Sequence, residues 1–494
     1  MVPDRGSFLG LSVAVLFAVF GHALRPERVA GAETLLASTQ TSSATAAPVE
    51  EDPERLKNEV RITVETNTLP ASGSAPKEKS SHWKVQWEGW NGLHYELYQN
   101  TPIEDPLKAA REKIHGTNDY RVFHLEELKM SGKFGYKLAL DGAAYVTGKE
   151  FQGFDGGVEV RRARLYAQGD CIFLLPVSYR IEVGYIPQEF YIEESNLEFK
   201  LIPCIGELKT GQYQAPMGLE VLSSSRDISF MEPAAPMQAL APGVNAGLQI
   251  GRPVFNERAT WALGLFTDGV GKDYGDSSQD FGRAIARITA LPIYNPDPDE
   301  PGSAQLLHLG LSVNILYSGD STVRYQARPE SHLAPFVVDT GDISSKGALV
   351  VGGEAAWIDG PLSVQGEYLH SFVQQPQGQT LEFNGLYGSV SWFLTGETRP
   401  YSRTDAAFAR VIPKHNFDWG GGGWGAWEIA GRASYVDLDS RGVHGGRLAM
   451  LMAGVNWYLH SHVKWRFDYG FGQVSDRQPA GNLNIFQTRV EIDF

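Results

Sequence analysis

Cysteine is nearly absent. Two residues, Cys171 and Cys204, with no Cys-x-x-Cys, exclude both a disulfide-stapled scaffold and a cysteine-built zinc site. Their spacing leaves open whether they pair with each other in an oxidising compartment. Beyond the N-terminus there is no run of 18 apolar residues, so no further helix can span a membrane, and mean hydropathy is negative. Positive charge is in deficit. The 43 lysines and arginines face 58 acidic residues, a net charge of −15, which argues against nucleic acid as a partner. None of the 12 histidines lies in a His-Glu-x-x-His motif. The glycines at 420–423 and 425, beside Trp419 and Trp424, lack the following Lys-Ser/Thr of a phosphate loop. His308, His370 and His415 are present, but nothing in the sequence pairs them with a nucleophile. The acidic stretch 295–300, interrupted by two prolines, reads as an exposed loop rather than a calcium site. Neither an enzyme nor a cofactor is expected.

What is abundant is alternation. In 463–471, Val463, Trp465, Phe467, Tyr469 and Phe471 share one face of an extended chain, and Lys464, Arg466, Asp468 and Gly470 share the other. In 485–494, Phe486, Thr488, Val490, Ile492 and Phe494 alternate with Gln487, Arg489, Glu491 and Asp493. Each run is about ten residues, the length of a tilted strand crossing a bilayer. A soluble sheet also alternates over a core. Aromatic rings on the apolar face and charges of both signs on the other fit lipid outside and a water-filled lumen inside. The pattern recurs from about residue 120, at 134–141, 177–185, 307–317, 427–435 and 451–459. At 158–168 the phase slips, and a bulge near Arg161-Arg162 would restore one face.

In chain order, residues 1–30 resemble a secretory signal, with Arg5 before an apolar stretch and small residues after it. Residues 31–80 are rich in Ala, Ser, Thr, Pro and Glu, and read as a disordered, low-complexity linker with room for a short helix near 54–65. Residues 81–120 hold a first hairpin over 82–99 around Asn91-Gly92, then a polar stretch with a short helix. Residues 121–494 form the barrel. Length alone would suggest roughly three ordinary domains. At roughly 20–25 residues per strand and connection, about 15–18 strands fit instead. The junctions at 360–361 and 459–461 are short, whereas 215–243, 268–280, 318–346 and 395–425 are long. The expectation is short turns at one rim and long loops at the other.

The segment 206–252 carries the sharpest motifs. Gly211, Gln212, Pro216, Gly218, Leu219 and Glu220 come first. Ser224, Ser225, Asp227, Ile228, Phe230, Met231 and Glu232 follow, and then Ala241, Pro242, Gly243 and Gly247. Together with Arg161, Arg162 and Arg164 upstream, this resembles the phosphate-selective porin O and P family. The resemblance implies an all-β, sixteen-stranded transmembrane antiparallel barrel in the outer membrane, usually a homotrimer, whose third loop folds into the lumen. It also implies passage of small anions, some of them phosphate or polyphosphate. Ser224 and Ser225 match hydroxyl positions that hydrogen-bond an oxyanion. Ser224, Ser225 and Arg226 are therefore the expected solute contacts of a constriction formed by 215–243. Arg161, Arg162 and Arg164 fall near basic lumen positions. Strand parity adds Arg180, Arg283, Arg287, Arg432, Lys464, Arg466 and Arg489 to the polar face. Three basic positions of the family are replaced here, by Gln214, Pro233 and Val244. Two readings of the remaining cations stand side by side. Either they line an anion path, or carboxylates such as Glu182, Asp468 and Glu491 balance them. The expected function is a passive outer-membrane porin for small hydrophilic solutes, anions such as phosphate among them. The rivals are a structural or adhesive barrel without specific transport and a secreted carbohydrate-binding β-protein.

Overall fold

The computed structural model describes residues 63–66, 83–88, 94–98, 122–125 and 130–494, apart from 173–175, 187–188, 203–205, 269–281 and 296–303. The expected signal segment, the polar stretch 101–120, Cys204 and most of the acidic stretch 295–300 lie outside the described residues. The alternating runs become long strands. The first eight are β1 (Met130–Thr147), β2 (Gly157–Ile172), β3 (Pro176–Ile186), β4 (Glu189–Ile202), β5 (Gly206–Gln214), β6 (Val244–Val254), β7 (Ala259–Asp268) and β8 (Gly282–Asn295). The other eight are β9 (Gln305–Val323), β10 (Ile343–Asp359), β11 (Leu362–Gln374), β12 (Thr380–Phe393), β13 (Ala426–Ser440), β14 (Val443–His460), β15 (Val463–Ser475) and β16 (Gly481–Asp493).

Each of these sixteen strands pairs antiparallel with its sequence neighbours. β16 pairs back onto β1, from Leu483↔Thr147 to Asp493↔Lys137, and closes the barrel. At the seam Phe494 and Tyr136 exchange backbone hydrogen bonds, and the Tyr166 hydroxyl donates to the Phe494 carbonyl at 2.7 Å. Gly135 makes room for this contact. A Cβ there would stand 2.3 Å from the Tyr166 ring. The start of β1 also carries a short extension of the sheet, Val122–Leu125, then His94–Tyr98, Trp83–Glu88 and Thr63–Thr66. The two strands of the expected first hairpin pair from Lys84↔Tyr98 to Glu88↔His94.

Burial is inverted relative to a soluble protein. Outward-facing Leu265, Leu311, Tyr317 and Leu451 are 66%, 62%, 76% and 59% exposed, whereas Arg466, Arg489, His308 and Asn456 are 0% exposed. A closed belt of exposed aliphatic and aromatic side chains is what lipid covers. A soluble β-protein would have buried that face. The expected bulge is present. Ala139 pairs with Arg162 and Leu140 with Val160, so Arg161 is the extra residue and both arginines reach the inner side.

One expectation fails. The connections 360–361 and 461–462 share the turn rim, and 215–243 and 324–342 share the loop rim. Segment 394–425, expected among the long loops, leaves from the turn rim. β12 runs toward that rim and β13 runs away from it, so chain direction fixes the rim whatever the length of the connection. Segments 215–243 and 324–342 of one rim and 394–425 of the other pack against the barrel wall. The largest apolar cluster joins Met217, Phe230 and Met237 of 215–243 to wall residues such as Phe266, Phe383 and Met450. A second joins Leu219 to Phe408 of 394–425.

Candidate functional site

Between β5 and β6 the chain makes two short helices, α1 (Leu219–Leu222) and α2 (Ala235–Leu240). Neither has a side-chain cap of its own, so their orphan N–H groups need partners from elsewhere. The barrel wall and the connection 324–342 supply them. Glu367 on β11 accepts from the Leu219 and Glu220 N–H groups at 2.8 and 2.7 Å. Gly218 sets up this contact at φ +84°, where a Cβ would also strike Met237. Ala235 N–H donates to Glu330 at 2.9 Å, and Met231 N–H to Asp468 on β15 at 2.9 Å. From β14, Asn456 donates to the Ser229 carbonyl at 2.8 Å. The segment thus takes wall side chains as hydrogen-bond partners in place of strand neighbours.

The cations predicted from parity are on the inner face, and most are committed to this job. Arg466 donates to the Phe230, Ser225 and Arg226 carbonyls at 2.8, 3.1 and 2.7 Å. Arg489 binds Asp141 through two 2.6 Å hydrogen bonds and Glu232 through one of 2.5 Å. Arg161 reaches the same Glu232 with bonds of 3.0 and 3.1 Å. Arg432 binds Glu220 at 2.9 Å and Glu330. Arg287 binds Glu354 and the Ala406 carbonyl. Arg164 and Arg180 sit in a separate cluster with Glu182, Glu193 and Glu194. Arg283 is half-buried on the inner face. Burial by itself would raise the Glu232 carboxyl, but Arg161, Arg489 and Arg162 hold it well below the usual carboxylate range. At Glu220 burial outweighs Arg432, and the carboxyl is pushed up.

The expected solute contacts come together. Ser224, Ser225 and Arg226 line one cavity near the turn rim, with Lys137, Arg162 and Lys464. Neither serine hydroxyl is engaged by another group among the described residues. Arg162, 7% exposed, has ion-pair distances of 3.9 and 3.7 Å to Glu232 and Glu491, and its Nη1 makes no hydrogen bond. Counting all its lining side chains, the cavity holds five lysines and arginines against three carboxylates. Basic groups and hydroxyls without a hydrogen-bond partner among the described residues coincide in this cavity.

Two contributors escaped the sequence reading. Segment 394–425 enters from the turn rim. Arg399 donates to Gln365 at 2.5 Å and to the Asp227 carbonyl at 3.3 Å, and its guanidinium lies 3.5 Å from the Phe408 ring centroid. Phe408 N–H donates to the Ser223 hydroxyl at 3.1 Å, so the two segments touch. The signal was Arg399, Arg403, Arg410 and Lys414 within one connection, combined with a count of strand directions back from β16. The second contributor is Asp493, which alternation placed on the polar face without giving it a partner. Two of the three substituted family positions are structural: Gln214 donates to the Pro242 carbonyl at 2.8 Å, and Val244, its direct pairing partner, is buried.

The family model described as phosphate-selective porin O and P matches residues 133–494. A protein of Caulobacter vibrioides described as uncharacterized is 28% identical over 370 residues, covering 69% of this chain and 69% of that protein. Porin O of Pseudomonas aeruginosa is 25% identical over 305 residues, 56% of this chain, and the match spans 66% of its length, just under two thirds. Among solved structures, the anion-selective porin from Comamonas acidovorans has a TM-score of 0.48 at 12% identity, over 74% of this chain and 100% of that one. OmpT, an outer membrane protein of Vibrio cholerae, has 0.47 at 10% identity, over 74% and 98%.

Proposed function

This chain belongs to the phosphate-selective porin O and P family, and from that premise we propose that it is a passive pore for small hydrophilic solutes, with anions such as phosphate and polyphosphate among them. The outer membrane is its location, and solutes pass down their own gradients without a cofactor. The observation that carries the anion reading is the turn-rim cavity. Ser224, Ser225, Arg226 and Arg162, whose Nη1 makes no hydrogen bond among the described residues, converge there on one space with an excess of basic groups. Hydroxyl and guanidinium donors are the groups that replace an oxyanion's hydration shell. Segment 215–243 is the constriction in this reading, and the homotrimer is the assembly the family implies.

The committed arginines set the scale of selectivity. Arg432 and Arg489 are neutralised by carboxylates, and Arg466 is turned onto loop carbonyls beside Glu491. The anion path thus rests on one cavity rather than on a continuous basic row, which supports weak selectivity. Single-channel recording of the detergent-folded protein in a planar bilayer, under a potassium chloride gradient with phosphate titrated in, tests this. A reversal potential on the chloride side with block by phosphate is expected. Cation preference without block would overturn the anion reading, and a folded, inserted protein without conductance would overturn the pore.

A further inference from the structure

Two half-buried guanidiniums of the turn-rim cavity are both on one carboxylate oxygen. Arg226 Nη1 donates to Asp493 Oδ2 at 2.6 Å, and Arg410 Nη2 donates to the same atom. The three residues come from three places: the tip of 215–243, segment 394–425 and the end of β16. Asp493 is held in position through its backbone, its N–H donating to the His462 carbonyl at 3.0 Å. Arg410 is braced from behind, donating to the Ser461 carbonyl at 2.6 Å. The side chains of Arg226 and Arg410 are 30% and 21% exposed and that of Asp493 is 13% exposed, so solvent reaches the cluster. Two guanidiniums converging on one carboxylate oxygen, with the Ser224 and Ser225 hydroxyls along the same wall, make the arrangement by which proteins hold an oxyanion.

We infer that Asp493 is a tethered competitor for the pore's own anion site. Its carboxylate occupies the Arg226–Arg410 pair, and a passing oxyanion enters by displacing it. The inference rests on the anion-pore reading above and names the residue that sets its selectivity. A conducting site must bind enough to admit its ion and weakly enough to release it. A carboxylate on a strand end meets that need, because it returns to the guanidiniums at high effective concentration as each anion leaves. A diffusing phosphate offers more acceptor oxygens than the carboxylate and can take both guanidiniums together with the serine hydroxyls.

The test is Asp493→Asn, which keeps the shape and removes the charge. Compared with the unaltered protein, the half-blocking concentration of inorganic phosphate should fall by about tenfold and the reversal potential should move toward chloride. Adding Arg226→Gln to the variant should reverse both changes. If the unaltered pore conducts and Asp493→Asn leaves block and reversal potential where they were, Asp493 is not a competitor and the porin reading stands. If the unaltered protein does not conduct, calorimetric titration of inorganic phosphate into the folded protein decides the inference by itself. Tighter binding in the variant supports it, and equal binding overturns it. Where the Asn variant fails to fold, Arg226→Gln alone, on the loop and outside the wall, should weaken phosphate block or binding, and an unchanged value overturns the proposal.

Discussion

Arg489 on β16 and Glu232 on the segment between β5 and β6 are joined at 2.5 Å, and this pair pins the segment to the wall. Arg161 holds the other face of the same carboxylate. Removing Glu232 therefore takes this carboxylate from Arg161 and leaves the buried Arg489 and Arg162 with one counter-charge fewer, Asp141 and Glu491 remaining. Breaking a buried pair from one side costs about 3–5 kcal/mol. Glu232→Ala should lower the temperature at which the folded band is lost on a heat-modifiability gel. It should also raise single-channel conductance and its noise, as the segment leaves the wall.

The same carboxylate sets a pH dependence. Its folded pKa lies below its unfolded one, because Arg161, Arg489 and Arg162 outweigh burial. An acid shifted downward contributes stability that is complete above the unfolded value and is lost as pH falls toward the folded one. Glu220 is shifted the other way by burial, so its charge is a cost at neutral pH. At pH 7 Glu232→Gln should therefore destabilise the fold more than Glu220→Gln does. Acidification below pH 4 should narrow the gap between Glu232→Gln and the unaltered protein. Thermal midpoints of the three proteins at pH 7 and pH 3.5 check both statements.

Glu367 gives a local test of how α1 is held. Its two oxygens accept from Leu219 and Glu220, and the Tyr387 hydroxyl donates to Oε1 at 2.7 Å. Glutamine at this position keeps one acceptor oxygen and turns the other into a donor facing an N–H. One buried N–H is then unpaired, at about 1–3 kcal/mol. Glu367→Gln should leave the barrel folded and raise hydrogen exchange selectively at 218–222. Exchange spread evenly over the segment would show that α1 is not held from this point.

These anchors explain what the sequence could and could not convey. Alternation encodes the barrel directly, since each strand shows lipid on one side and water on the other. The slip at 158–168 even located the bulge at Arg161. The family motifs singled out 215–243. Which arginines would be open to solutes was not encoded, because parity tells the side a residue faces and says nothing of what faces it across a lumen. Arg466 and Arg489 share a face with Asp493. The first two are consumed by the loop, and only the last meets cations that solvent reaches. Segment 394–425 was misassigned for a related reason, since its length says loop whereas its rim follows from strand direction.

That segment gives the next prediction. Arg399 ties it to Gln365 and Asp227, and its guanidinium lies over Phe408, which packs on Leu219. Arg399→Ala removes the donor and the stacking partner together. The segment should detach toward the turn rim while 215–243 stays anchored by its other contacts. Conductance should rise, with a loss of stability of about 2 kcal/mol. A variant with unchanged conductance would show that the segment lies outside the conducting path.

The outer wall at the turn rim carries the last. Trp457 stacks on Trp427 at 5.1 Å and on Trp465 at 6.4 Å, across three neighbouring strands. The Trp424 carbonyl accepts from both the Trp427 and Trp457 indole N–H groups, at 3.1 and 2.8 Å. The glycine-rich turn is thereby fixed to the stack, with Gly425 at φ +71° where a Cβ would strike the Tyr458 carbonyl. Beyond it, Trp419 and Trp424 are 93% and 75% exposed. Indoles with an apolar body and a polar edge settle at the membrane–water interface. Trp457→Ala breaks two stacks, an edge contact with Phe417 and one hydrogen bond, and should cost about 1–3 kcal/mol. Trp419→Ala removes one ring contact among the described residues, with Phe417, and should leave stability unchanged. Brominated lipids separate the two roles. Labels near the headgroups should quench Trp419 fluorescence, seen as the difference between the unaltered protein and Trp419→Ala, more than labels at the acyl ends do. Equal quenching at both depths would place the turn away from the interface.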